Sequence, residues 1–147
     1  MRADQIRREI MLDAPIEKVW LSLTDPSHLS RWFGDIAEVD LRPGGHARFG
    51  WSEFDSTSEA IIEVVKPPTR FSFRWESVLD TPVEKASTLV EFVLEPVGTG
   101  TRLTLVESGF VTVPETEYQQ RYDDNSSGWT VELNDLVDYL SGANAVG

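Results

Sequence analysis

There is no cysteine in this chain and there are only two histidines, His28 and His46. The first absence excludes disulfides, thiol catalysis and thiolate metal sites. The second leaves any zinc site dependent on carboxylates, so no metal and no cofactor is expected. No apolar run approaches the roughly 20 residues of a membrane span. The opening stretch MRADQIRREIMLDAP also lacks the uninterrupted apolar segment of a signal peptide, so a cytoplasmic location is expected by default. Positive charge is scarce as well: 13 Lys and Arg stand against 25 Asp and Glu, a net charge of −12. Such a field repels phosphate backbones and anionic bilayers, so neither nucleic acid nor membrane is an expected partner. The P-loop, G-x-S-x-G, H-E-x-x-H and G-x-G-x-x-G patterns are all missing, which removes the commonest catalytic engines.

What is present is the composition of one soluble globular domain, 40% hydrophobic and 26% charged, without repeats or low-complexity tracts. A single domain over residues 1–147 is expected. Ile6, Ile10 and Leu12 alternate as in a half-buried strand, with Arg8 interrupting the apolar phase. Pro15 suits the first turn of a helix that carries Ile16, Val19, Trp20 and Leu23 on one face, and Asp25-Pro26 stops it. A short second helix is expected from about Ser27 to Phe33. The period then becomes two. Ala37, Val39 and Leu41 precede the turn RPGG, and Ala47, Phe49 and Trp51 follow it. Further strands carry Ala60, Ile62 and Val64, then Phe71, Phe73 and Trp75, then Val90, Phe92 and Leu94, then Leu103 and Leu105. Tight Gly/Pro turns between them favour an antiparallel meander.

The stretch NSSGWTVELNDLVDYLSG, Asn125 to Gly142, reads as a last helix. Ser126 or Ser127 serves as its cap, Gly142 as its stop, and Trp129, Leu133, Leu136, Val137 and Leu140 share one stripe. Strand, two helices, about six strands and a long helix define an α+β chain with the helix lying in the concave face of a twisted antiparallel sheet. The helix stripe then faces Phe49, Trp51, Phe73, Trp75 and Phe92. Where sheet and helix diverge, a pocket can open between them.

Six pieces occur in order: APIEKVW from Ala14, LTDPSHLSRWF from Leu23, RPGG from Arg42, V-x-x-P-x-R-F-x-F-x-W from Val65, GTRLTL from Gly100, and GW at Gly128-Trp129. Together they resemble the family named after the activator of Hsp90 ATPase, within the START-like superfamily. The resemblance implies a helix-grip fold, a curved seven-stranded sheet wrapped around the C-terminal helix and enclosing a cavity. The first reading is a small hydrophobic ligand in that cavity, with Trp32, Phe33, Phe49, Trp51, Phe73, Trp75, Phe92, Glu107, Trp129 and Leu133 lining it and Trp32 and Phe33 near its entrance, the alternative for each aromatic being plain core. The co-chaperone that names the family has an additional N-terminal domain for which this chain has no room, so Hsp90 is not an expected partner.

Glu107, in LVESGF, is the charged residue of most interest. Facing inward beside Leu103 and Leu105 it could act as a general acid or base in a cyclase-like enzyme. The rarity of buried charges favours the outer face or the strand end instead. Arg74 and Glu76 are expected in cross-strand pairs on the solvent face, and WSEFDS, Trp51 to Ser56, at the cavity mouth with Glu53 and Asp55 solvated. His28 is placed at a helix entry and His46 at a strand start. No catalytic residue is assigned. An interaction module using the acidic outer surface is a further reading, and a homodimer through the outer sheet is compatible with the pattern.

Overall fold

The computed structural model describes residues 3–76 and 87–141. Seven antiparallel strands form one sheet in the order β1-β7-β6-β5-β4-β3-β2. They are β1 (Gln5–Leu12), β2 (Ile36–Val39), β3 (His46–Trp51), β4 (Ser56–Lys66), β5 (Arg70–Glu76), β6 (Ser87–Val97) and β7 (Gly100–Ser108). Helices α1 (Ile16–Thr24) and α2 (Pro26–Trp32) follow β1, and α3 (Glu115–Leu140) ends the described chain.

Alternation decides which face is buried. Along β7 the residues Thr101, Leu103, Leu105 and Glu107 are buried while their neighbours are half-exposed, and β6 repeats this with Thr88, Val90, Phe92 and Leu94. Phe71 and Phe73 of β5, Ala60 and Ile62 of β4, and Ala47 and Phe49 of β3 extend the inner face across the sheet. The outer face carries ion pairs between neighbouring strands, among them Arg74–Glu63 at 2.8 Å and Arg102–Glu95 at 2.9 Å. These are exposed, and each contributes little to stability.

Several local expectations are corrected. Pro15 lies just outside α1 in extended backbone, and its carbonyl accepts from Lys18 and Val19. Helix α2 begins one residue earlier than expected because the Asp25 carboxylate caps Ser27 N–H at 2.9 Å and Pro26 pre-sets the first turn. Strand β2 ends at Val39, leaving Leu41 exposed. Arg8 does occupy the inward phase of β1: its guanidinium crosses to α3 and donates to Ser126 Oγ at 2.9 Å and Ser126 O at 3.3 Å. Ser126 is therefore no helix cap.

Helix α3 starts ten residues before Asn125, after Pro114, with Glu115 and Glu117 in a first turn that favours negative charge. The early turns hold by aromatic contacts instead of an aliphatic stripe. Tyr118 and Tyr122 stack with centroids 5.6 Å apart, Tyr122 meets Phe110 edge-on, and their hydroxyls donate to Ala3 O and Gln5 O. Of the expected stripe, Trp129, Leu133, Leu136 and Leu140 are buried, whereas Val137 is 39% exposed because it sits past the edge of the packed arc. Gly142 lies outside the described residues.

Candidate functional site

Between the first half of α3 and the ends of β3, β4 and β5 lies an open-mouthed hollow of about 630 Å³. Phe33, Trp51, Trp75 and Trp129 form its aromatic wall. Ser56 and Ser58 of β4 and Glu76 of β5 border it from the sheet. From α3 come Arg121, Asn125, Gly128 and Glu132, at steps of four, three and four, which is one helical face. Asp124, Ser127 and Val131 flank them, and Phe54, 71% exposed on a short turn after β3, stands with Val131 at the rim.

Phe33 organises the aromatic wall. Its ring stacks on Trp75 at 6.1 Å and on Trp129 at 5.6 Å, and meets Trp51 and Phe49 edge-on at 5.2 Å each. Gly34 lets it get there: φ is +67°, and a Cβ at this position would lie 2.2 Å from the Gly50 carbonyl oxygen. Asp35 then donates its N–H to Gly50 O and accepts from Ser52 N–H at 2.9 Å, tying the segment after α2 to the end of β3.

The expectation that favoured the outer face for Glu107 is overturned. Glu107 is fully buried, in phase with Leu103 and Leu105. Its Oε1 accepts from Trp129 Nε1 at 2.8 Å. Its Oε2 accepts from Trp75 Nε1 at 2.9 Å, Thr88 Oγ1 at 2.6 Å and Asn125 Nδ2 at 2.9 Å. Three of these four donors, Trp75, Trp129 and Asn125, belong to the wall of the hollow, which Glu107 itself does not border. A general acid or base must come within hydrogen-bond reach of the substrate, and here both oxygens are occupied one layer behind it. What this carboxylate does is fix two indoles and one amide by hydrogen bonds.

Trp32 is not at an entrance. It is buried, and its indole N–H donates to Ser22 O at 2.7 Å, locking α2 onto α1. Phe49, Phe73, Phe92 and Leu133 are likewise core residues behind the wall, so of the ten expected lining residues Phe33, Trp51, Trp75 and Trp129 border the hollow. Glu76 borders it too, whereas Arg74 pairs on the solvent face as expected. His28 contacts the Tyr139 hydroxyl at 2.5 Å through Nδ1, and His46 pairs with Glu59 at 2.6 Å on the outer face. Among the described residues no cluster of His, Asp and Glu could hold a metal ion.

Sequence reasoning missed Arg121, Asn125, Gly128 and Glu132, because a helix begun at Asn125 loses the first of them and splits the series. A glycine inside a helical pattern was the available signal. Gly128 costs helix stability, and a Cβ added there would meet nothing within 4 Å, so its missing side chain leaves the hollow open. Glu132 is the second carboxylate of note. Its Oε1 accepts from Trp51 Nε1 at 2.9 Å, its Oε2 is shut off from solvent without a hydrogen bond of good geometry, and the Gly34 N–H lies close to the carboxylate. Burial raises its proton affinity above that of an ordinary glutamate and Asp135 adds to this, while the Trp51 and Gly34 N–H groups oppose it.

A helix gripped by a curved antiparallel sheet, with a hollow between them, is the helix-grip class. Within that class, residues 13–141 match the family model described as Activator of Hsp90 ATPase homolog 1-like protein, and the chain belongs to that family. Among solved structures, DynU16 of the dynemicin biosynthetic locus is 24% identical with a TM-score of 0.79, over 97% of this chain and 49% of its own. The chain thus spans about half of DynU16. CalU16 from Micromonospora echinospora is 29% identical with a TM-score of 0.70, over 93% of this chain and 76% of its own. The Aha1 dimer from Colwellia psychrerythraea is 19% identical with a TM-score of 0.76, over 92% and 95%. No curated protein matches. Among the described residues no helix is long and apolar enough to cross a membrane.

Proposed function

We propose that this chain is a small-molecule-binding protein whose ligand, flat and largely apolar, lies in the hollow against Phe33, Trp51, Trp75 and Trp129. The observation that carries the reading is an aromatic wall already set before any ligand arrives. Glu107 holds Trp75 and Trp129, Glu132 holds Trp51, and Phe33 stacks on both of the first two. Preorganisation of this kind lowers the ordering cost of binding. The volume of about 630 Å³ falls within the range usual for ligand pockets. A relative encoded in a biosynthetic locus fits a protein that handles small molecules.

A cyclase-like role resting on Glu107 loses its support, since that carboxylate is sealed from the hollow. The test is a thermal-shift screen against fatty acids, sterols, flavonoids and polycyclic aromatics, with Trp75→Ala as control. A ligand at 100 times its dissociation constant stabilises the protein by about 2.7 kcal/mol. A hit lost in the control supports the reading, and silence across the panel contradicts it. Sedimentation of the same sample reads the oligomeric state, for which the Colwellia relative is a dimeric precedent.

A further inference from the structure

The wall of the hollow is electrically lopsided. Asp124 and Glu132 border it against Arg121 alone among the described cations, inside a protein of net charge −12. These carboxylates differ in their circumstances. Asp124 is exposed and accepts from Gln120 at 2.9 Å, whereas Glu132 is pressed beside Trp51 with one oxygen shut off from solvent. A partly buried carboxylate with few donors is costly, and a cationic N–H brought by a ligand would offset that cost. Aromatic rings add attraction of the same sign, because a cation over a ring face is drawn to its π electrons.

Arg121 could attract an anion instead, since it has no ion pair among the described residues. It stands eleven residues from Glu132, about 16 Å along the helix axis. An anion drawn to it would face the field of the whole chain and the carboxylates of Asp124 and Glu132. Resting on the ligand-binding reading above, we propose that the hollow selects an organic cation, an apolar aromatic body carrying a protonated amine, with the ammonium seated at Glu132. Each carboxylate oxygen has two lone pairs, so Oε1 can accept from the ligand's ammonium while it still holds Trp51.

Three probes with one apolar body separate the possibilities: 1-naphthylmethylammonium, 1-naphthalenemethanol and 1-naphthoate, titrated calorimetrically at pH 7. The ammonium is expected to bind at least tenfold more tightly than the alcohol, about 1.4 kcal/mol, and the carboxylate most weakly. Glu132→Gln, whose amide oxygen can still accept from Trp51, should abolish the tenfold preference. Arg121→Ala should strengthen ammonium binding. Alcohol binding with no ammonium preference, or a preference that survives Glu132→Gln, overturns the charge assignment and leaves the hollow as an apolar site. Failure of all three probes to bind overturns both.

Discussion

The two halves of α3 pack against the same molecule to opposite effect. From Leu133 onward the helix closes down: Leu133, Leu136 and Leu140 are buried, and Tyr139 meets His28 of α2. Before Leu133 the face that carries Arg121, Asn125, Gly128 and Glu132 borders the hollow, opposite the ends of β3, β4 and β5. The aromatic residues opposite are as large as any in the core, so scarcity of apolar surface does not open this end. A short side chain, a missing one and two charged ones on the helix do. The same contrast separates the two glutamates. Glu107, behind the wall, has four donors, and Glu132, in the wall, has fewer among the described residues. The carboxylate with the most donors lies behind the wall, and the one with fewer borders the hollow.

The largest effect should come from removing the saturated carboxylate. Glu107→Leu strands the indole and amide donors in a dry layer, and a loss on the order of 4 kcal/mol is expected in urea unfolding. Its near-UV circular dichroism should change as well, because Trp75 and Trp129 lose their anchor. Leu136→Ala, in the closed half, should cost about 3 kcal/mol as an ordinary core cavity and leave probe binding intact. Equal damage to binding by both variants would erase the distinction between the two halves.

Gly128→Ala should act in the other direction. A Cβ meets open space there, so the gain is the helix propensity of alanine over glycine, about 1 kcal/mol. The smallest effect is expected from pH. Burial makes the folded state hold a proton on Glu132 more tightly than the unfolded chain does, so the group favours folding below the ordinary glutamate value of 4.5. That contribution is lost as pH rises through the higher folded value. Glu132→Gln should therefore raise the Tm slightly at neutral pH, and the gain should shrink on acidification toward pH 4.5. A gain that stays constant with pH would assign it to packing instead.

Much of the fold was legible because it rests on alternation. The period-two runs ending at Trp51, Trp75 and Leu105, and the breaks at Asp25-Pro26 and RPGG, placed strands and helices near their observed positions. The site was less legible, for two physical reasons. The first turns of α3 are held by tyrosine stacking and hydroxyl hydrogen bonds, which leave no aliphatic period to read. Glu107 keeps the inward phase of β7, yet a carboxylate in that phase is affordable only with donors from β5, β6 and α3, and no local pattern announces donors that distant. Trp32 shows the converse: its size suggested a ligand wall, and a carbonyl ten residues earlier claims its N–H for the core.

The claim that the open half of α3 walls a binding site is tested most directly by filling it. Wild type and Gly128→Leu would be titrated with 1-naphthalenemethanol while tryptophan fluorescence is followed. The account predicts a saturable response in wild type and none in the variant, with the variant at least as stable, since the leucine enters space that nothing occupies within 4 Å of its Cβ. Equal responses from the two proteins, or no response from wild type, would contradict it.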